Sequence, residues 1–156
     1  MEEQVVYCVQ SGLGKTWVCK KYPGWYDLDW YPYEQASSEQ IAFDIYSNVL
    51  FQQLFYGYTV AMTLKWKLIE RLLKNSERKY KVVLVLADPS RKDEIIGNIA
   101  KRSSDNHWAH DYAEVWDCNQ AHYKQFIRKW HDRNLEYVYL QKGEFFEDFL
   151  KKRGVI

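Results

Sequence analysis

Neither sign of charge prevails in this sequence. Its 22 Lys and Arg stand against 21 Asp and Glu, a net of +1 over 156 residues. No whole-molecule field therefore draws the chain to nucleic acid or to an anionic membrane, and any basic surface has to be local. Cysteine is scarce and odd in number: Cys8, Cys19 and Cys118 are far apart, which fits reduced thiols better than a disulfide framework. A long apolar run is missing too. The most apolar region, residues 41–64, is broken by Asp44, Asn48, Gln52 and Gln53, so no membrane span is expected. The opening Met-Glu-Glu-Gln has neither the basic lead nor the apolar core of a signal peptide, and a cytoplasmic location is the expectation. No low-complexity linker or internal repeat divides the chain. Residues 1–156 are accordingly expected to form one domain, long enough to bury a core.

What is present alternates. Residues 4–9, Gln-Val-Val-Tyr-Cys-Val, are β-branched and almost continuously apolar, as in a strand buried on both faces. A short helix over 16–21 is stopped by Pro23-Gly24, and 25–30 reads as a second strand. Ser37-Ser38-Glu39-Gln40 supplies cap-type residues for a helix reaching about Phe55, with Gly57 as its break. A further helix is expected over 59–76. Lys-Val-Val-Leu-Val-Leu-Ala-Asp-Pro, 81–89, is the strongest strand signal, followed by a helix from an N-capping Ser90 to Arg102. Helical pattern fills 108–132, a strand follows over Glu-Tyr-Val-Tyr-Leu-Gln-Lys-Gly, and 144–153 closes as a helix. Strands separated by helices imply an α/β fold whose parallel sheet is covered on both faces.

Between the first strand and the first helix lies Val9-Gln10-Ser11-Gly12-Leu13-Gly14-Lys15-Thr16. The phosphate-binding pattern G-x-x-x-x-G-K-[ST] is met at every fixed position except the first, where Val9 stands for glycine. Its context is right, because a helix start offers unpaired N–H groups and a positive dipole end to an anion. Ser11, Gly12, Leu13, Gly14, Lys15 and Thr16 are the candidate cradle. Lys15 would reach the β- and γ-phosphates and the Thr16 hydroxyl would ligate Mg²⁺. The missing glycine serves the turn out of the strand, whereas the anion contacts come mostly from later residues. The alternative is a glycine-containing turn with an incidental Lys-Thr.

Acidic residues fall at the ends of the neighbouring strands. Asp88 stands where many phosphate-loop proteins hold Mg²⁺ through water, although an Asp-Pro-Ser turn capping the next helix accounts for it nearly as well. Asp27 and Asp29 share one side of the second strand. One would orient an acceptor hydroxyl or take its proton, and Asp27 is favoured because Asp29 is easily explained as a surface cap. Arg91 and Lys92 begin the helix after Asp88, and Lys101 and Arg102 end it. A solvated face is the ordinary use of such residues, and a cation closing over a moving phosphoryl group is the functional one, with Arg102 preferred to Arg91. His107, His110, Cys118 and His122 are metal-ligand types at helical spacing, but they match no strong zinc pattern. The aromatic residues 108, 112, 116, 123 and 130 read as core.

Gly-Leu-Gly-Lys-Thr-Trp-Val-Cys-Lys-Lys-Tyr-Pro-Gly-Trp-Tyr-Asp-Leu-Asp-Trp, residues 12–30, resembles the opening of small phage-type P-loop nucleotide kinases. Residues 87–103 resemble that group's strand end, Pro turn and Lys-Asp-Glu helix, and residues 139–152 its final strand, Gly-Glu and amphipathic helix. The matches run in order, with 33–80 similar only in helical character. The resemblance implies a kinase-type P-loop NTPase fold, a three-layer sandwich around a mostly parallel sheet of four or five strands. It implies transfer of the γ-phosphoryl of ATP, with Mg²⁺, to a nucleoside or (deoxy)nucleoside monophosphate. Lys15 and Thr16 would sit at the donor, Asp27 at the acceptor, and Arg91 or Arg102 would be the closing cation. The location would then be a host cytoplasm if the gene is a phage's. Two other functions stay open: a degenerate nucleotide-binding protein without turnover, and a kinase of nucleic-acid 5′ ends if Lys20, Lys21, Lys101 and Arg102 gather in one groove.

Overall fold

The computed structural model describes residues 3–30, 38–75, 80–102 and 107–156. Five strands form one sheet in the order β2-β3-β1-β4-β5, parallel throughout. β1 (Gln4–Val9) is central and β4 (Tyr80–Ala87) lies beside it. Both are apolar on both faces, as a strand covered from two sides must be. Alternation then divides the core. Val6, Cys8, Val82, Leu84 and Leu86 face one side, together with residues of α2 (Glu39–Phe55), α3 (Trp66–Lys74) and most of α6 (Trp116–Trp130). Tyr7, Val9, Val83, Val85 and Ala87 face the other, with α1 (Lys15–Lys21), α4 (Lys92–Arg102), α5 (His107–Glu114) and α7 (Phe146–Lys152). The result is three layers, helices on a sheet on helices.

Much of this follows the sequence pattern. Ser38 caps α2, its hydroxyl accepting the Ile41 N–H at 3.2 Å, while Ser37 lies outside the described residues. β5 (Leu135–Leu140) and α7 fall where expected.

Four boundaries differ. β2 is only Trp25–Asp27, and Leu28–Trp30 form a 3₁₀ turn. The helix expected from residue 59 is instead β3 (Thr59–Met62) followed by α3, and its expected end at Ser76 lies outside the described residues. Thr-Val-Ala-Met is a short apolar run that either element accommodates. Pairing decides it, because β1 and β2 flank this segment and take up its backbone groups. The strand ending at Ala87 is thus the fourth in the chain, across β1 from β2 and β3. Asp88, not Ser90, is the capping residue, and it caps a 3₁₀ turn, Pro89–Arg91, that runs into α4. The helical pattern after residue 107 is two helices, α5 and α6, broken at Val115. No described helix is long and apolar enough to cross a membrane.

Candidate active site

The departure at Val9 has a simple structural answer. Val9 is still strand, fully buried and paired with Val85, so the chain does not bend there. The bends come at Gly12 and Gly14, with φ of +93° and +91°, a region open to glycine and costly for other residues. Gly14 is the N-cap of α1, so residues 11–16 wrap the positive end of that helix. Leu13 sends its side chain into the core, and its carbonyl accepts the Phe146 N–H at 2.8 Å. Only the Leu13 backbone is left to serve a ligand.

Gly12 has a second constraint. A Cβ there would lie 2.7 Å from Ile95 Cγ2 of α4, whereas one on Gly14 would meet nothing within 4 Å. Gly12→Ala is therefore expected to lose about 1–3 kcal/mol of stability from overpacking and backbone strain, and Gly14→Ala about 1 kcal/mol from strain alone. Urea unfolding of the two variants tests the ranking; equal losses would contradict it.

Lys15 projects from the first turn of α1 onto two carboxylates. Its ammonium is 2.6 Å from Asp27 Oδ1 and 2.8 Å from Asp29 Oδ2. The Thr16 hydroxyl donates to Asp27 Oδ2 at 3.4 Å. Asp29 is not a surface cap. It accepts the Thr63 N–H at 3.1 Å and the Thr63 hydroxyl at 3.3 Å, and Lys65 is 3.3 Å from it. Lys65 is itself seated on the Tyr46 ring. The 3₁₀ turn brings Asp29 round to the side of Asp27, with the Asp29 N–H bonded to Asp27 Oδ1 at 3.0 Å.

These contacts favour the charged forms of Lys15 and Asp29. Burial alone would push Asp29 up, but Lys15 and Lys65 outweigh it and hold the carboxyl below its ordinary value of 3.8. Burial likewise disfavours charge on Lys15, yet Asp29 and Asp27 reverse this and raise its pKa. The Cys19 thiol is pushed up to about 12 by burial and then by Asp27, so it is no nucleophile at neutral pH. Because the folded pKa of Asp29 is depressed, its contribution to stability is present above pH 3.8 and is lost as pH falls through the lower folded value. Asp29→Asn should cost about 2 kcal/mol near pH 7, and the gap to wild type should close in acid; a gap independent of pH would refute this.

A cavity of about 270 Å³ opens beside this cluster, lined by Gln10, Ser11, Gly12, Gly14, Lys15, Thr16, Asp29, Thr63 and Arg102, with Leu13 and Asp27 off its wall. Of the two arginines, only Arg102 faces it. Arg91 is 2 % exposed and fully engaged. It forms a two-point pair with Glu94 and donates to the carbonyls of Leu140 and Glu144 at 3.1 and 2.9 Å. It is a brace and not a closing cation. Asp88 is also absent from the cavity wall. Its carboxylate holds the Ser90 N–H at 3.0 Å and hydroxyl at 2.7 Å and meets Gln141, which is the capping use.

The histidine cluster does not converge. His110 pairs with Glu114, His122 lies against Trp66, and Cys118 is exposed; the His107 and Trp108 side chains lie outside the described residues. Among the described residues no three His, Cys, Asp or Glu side chains gather to hold a metal. Of the basic set Lys20, Lys21, Lys101 and Arg102, only Arg102 lines the cavity, and Lys21 ion-pairs with Glu147 at 3.0 Å. Gln10, Thr63 and Lys65 escaped the sequence reading. The last two follow β3, a segment whose pattern predicts helix, and Gln10 occupies a position that the phosphate-loop pattern leaves free.

No protein-family model and no curated protein sequence matches this chain. Among solved structures, it is similar to an uncharacterised protein from Eubacterium ventriosum, with TM-score 0.53 and 15 % identity over 99 % of this chain and 97 % of the other. A shikimate kinase from Bacteroides thetaiotaomicron superposes with TM-score 0.49 and 15 % identity over 88 % and 85 % of the two chains. A gluconokinase from Sinorhizobium meliloti 1021 gives TM-score 0.52 and 12 % identity over 96 % and 88 %. At such identities the likeness is one of architecture. With its phosphate-type loop between β1 and α1, the chain has the three-layer α/β fold of the P-loop kinases.

Proposed function

We propose that this protein transfers the γ-phosphoryl group of ATP to a nucleoside or (deoxy)nucleoside monophosphate. The observation that carries this reading is Lys15, placed at the N-terminus of α1 between two carboxylates and facing a cavity that Arg102 also lines. Phosphoryl transfer asks for little beyond positioning and compensation of charge. Backbone N–H groups of residues 11–16 would hold donor phosphate oxygens. Lys15, kept charged by its neighbours, would exchange a carboxylate for those oxygens. Asp27, almost wholly buried and freed by that exchange, would orient the acceptor and take the proton of an attacking hydroxyl. Arg102, on the last turn of α4, would close over the transferred group.

Mg²⁺, when bound, supplies neutralisation of the donor's phosphate charge. The Thr16 hydroxyl and the Asp29 carboxylate, both on the cavity wall, are the hard oxygen groups that would hold it, enough where phosphates supply the remaining ligands. Asp88 takes no part in this arrangement.

A thermal-shift panel of nucleoside triphosphates, with and without Mg²⁺, tests the donor half. Millimolar ATP with Mg²⁺ should raise the melting temperature, since a ligand that binds only the folded chain must stabilise it. No shift would overturn the reading. Release of ADP should then rise with one monophosphate acceptor, and Arg102→Ala should lower kcat about 10²-fold with unchanged stability. Triphosphate binding with no acceptor-dependent turnover would mark a nucleotide-binding protein instead, and labelling of an oligonucleotide 5′-hydroxyl an end kinase.

A further inference from the structure

Gln10 does something unusual at the point where β1 gives way to the loop. In a parallel ladder a residue in its register would donate its N–H to Val85 and accept the Ala87 N–H with its own backbone carbonyl. The first bond is present, Gln10 N to Val85 O at 2.9 Å. The second is made by the side chain, with Oε1 accepting the Ala87 N–H at 2.8 Å. The amide thus replaces a strand carbonyl, and the chain turns into the loop without orphaning a buried N–H, which would be costly.

The other end of the same amide reaches a different element. Gln10 Nε2 donates to the Tyr112 hydroxyl of α5 at 3.1 Å, and that hydroxyl is also hydrogen-bonded to Tyr123 of α6. Gln10 is 1 % exposed, so these bonds form away from competing water. α5 packs against α4, and α4 ends in Arg102 at the cavity wall. A single buried amide therefore ties the base of the phosphate loop, the end of β4 and the helix packed on the Arg102 arm.

We propose that Gln10 and Tyr112 are positioning residues of the phosphate-transfer site. Gln10 replaces the leading glycine's contribution by making the strand exit with a side chain. Tyr112 fixes the α4–α5 arm so that Arg102 stays over the loop. Neither touches the reacting atoms. This inference rests on the phosphoryl-transfer reading, and it assigns the two residues separable effects.

The test compares wild type, Gln10→Met, Tyr112→Phe, Arg102→Ala and the Tyr112→Phe/Arg102→Ala double variant. Turnover is read as ADP release from Mg²⁺-ATP with the four deoxynucleoside monophosphates as acceptors, alongside ATP affinity and melting temperature. Gln10→Met should raise the KM for ATP about tenfold, with a smaller change in kcat. Tyr112→Phe should lower kcat about three- to tenfold, the worth of one buried hydrogen bond, with KM for ATP unchanged. The double variant should be no slower than Arg102→Ala alone, because the hydroxyl acts through that arginine. Losses that multiply in the double variant, or variants that lower the melting temperature with kcat and KM untouched, would overturn the proposal. Tyr112→Phe decides alone if Gln10→Met does not fold. Wild type that binds ATP and transfers nothing would refute the transfer reading and the Arg102 role; Gln10→Met must still weaken ATP binding for the loop brace to stand.

Discussion

Lys15→Ala is expected to lower ATP-dependent transfer by about 10³-fold or more and, at the same time, to weaken the fold. The two effects have different origins. Activity falls because Lys15 is the cation carried on the first turn of α1, where donor phosphates would lie. Stability falls because the Asp27 and Asp29 side chains, 3 % and 22 % exposed, lose the ammonium between them. Breaking a buried pair from one side strands charge, at a cost of about 3–5 kcal/mol for full burial and less here, about 2–4 kcal/mol. The compensating change is Asp29→Asn, which relieves the repulsion between two carboxylates that Lys15 no longer separates, although Lys65 still pairs with Asp29. Lys15→Ala/Asp29→Asn should recover part of the lost stability in urea and none of the lost ADP release. Recovered activity, or a second substitution that further destabilises the protein, would contradict the assignment of Lys15 to both duties.

Asp27→Asn separates chemistry from binding. The amide is isosteric, can still accept the Asp29 N–H, and leaves Lys15 its 2.8 Å partner in Asp29. Stability should change by about 1 kcal/mol or less. What the amide lacks is the negative charge that orients an acceptor and takes a proton, and loss of such a group lowers kcat by about 10³-fold. ATP affinity, measured by titration, should hold. A parallel fall in ATP affinity and kcat would move Asp27 to the donor side; full activity would remove it from the mechanism.

The uneven legibility of this chain has identifiable causes. The phosphate-type loop could be read because its chemistry is local: Gly12, Gly14, Lys15 and Thr16 act through backbone freedom and one helix end, all within six residues. The central strands could be read because burial on both faces leaves an apolar run that needs no partner to recognise. Thr-Val-Ala-Met at 59–62 is too short to carry a period, and only its place between β1 and β2 makes it a strand. A helical pattern over that segment gives no sign of Thr63 and Lys65, the partners that hold Asp29 beside Lys15.

Composition and short-range order by themselves thus determined the layered α/β class, the loop after the first strand and the residue types at its head. Which carboxylate and which arginine stand beside that loop was decided only in three dimensions. Asp29 and Asp88 are both acids just beyond strands, and Arg91 and Arg102 both flank one helix. What separates them is what each side chain meets. Asp29 finds Lys15, Thr63 and Lys65, whereas Asp88 meets Ser90 and Gln141. Arg91 is consumed by Glu94 and two carbonyls, whereas Arg102 lines the cavity. A buried or half-buried charge is governed by the groups that compensate it, and those groups come from segments that are distant in the chain.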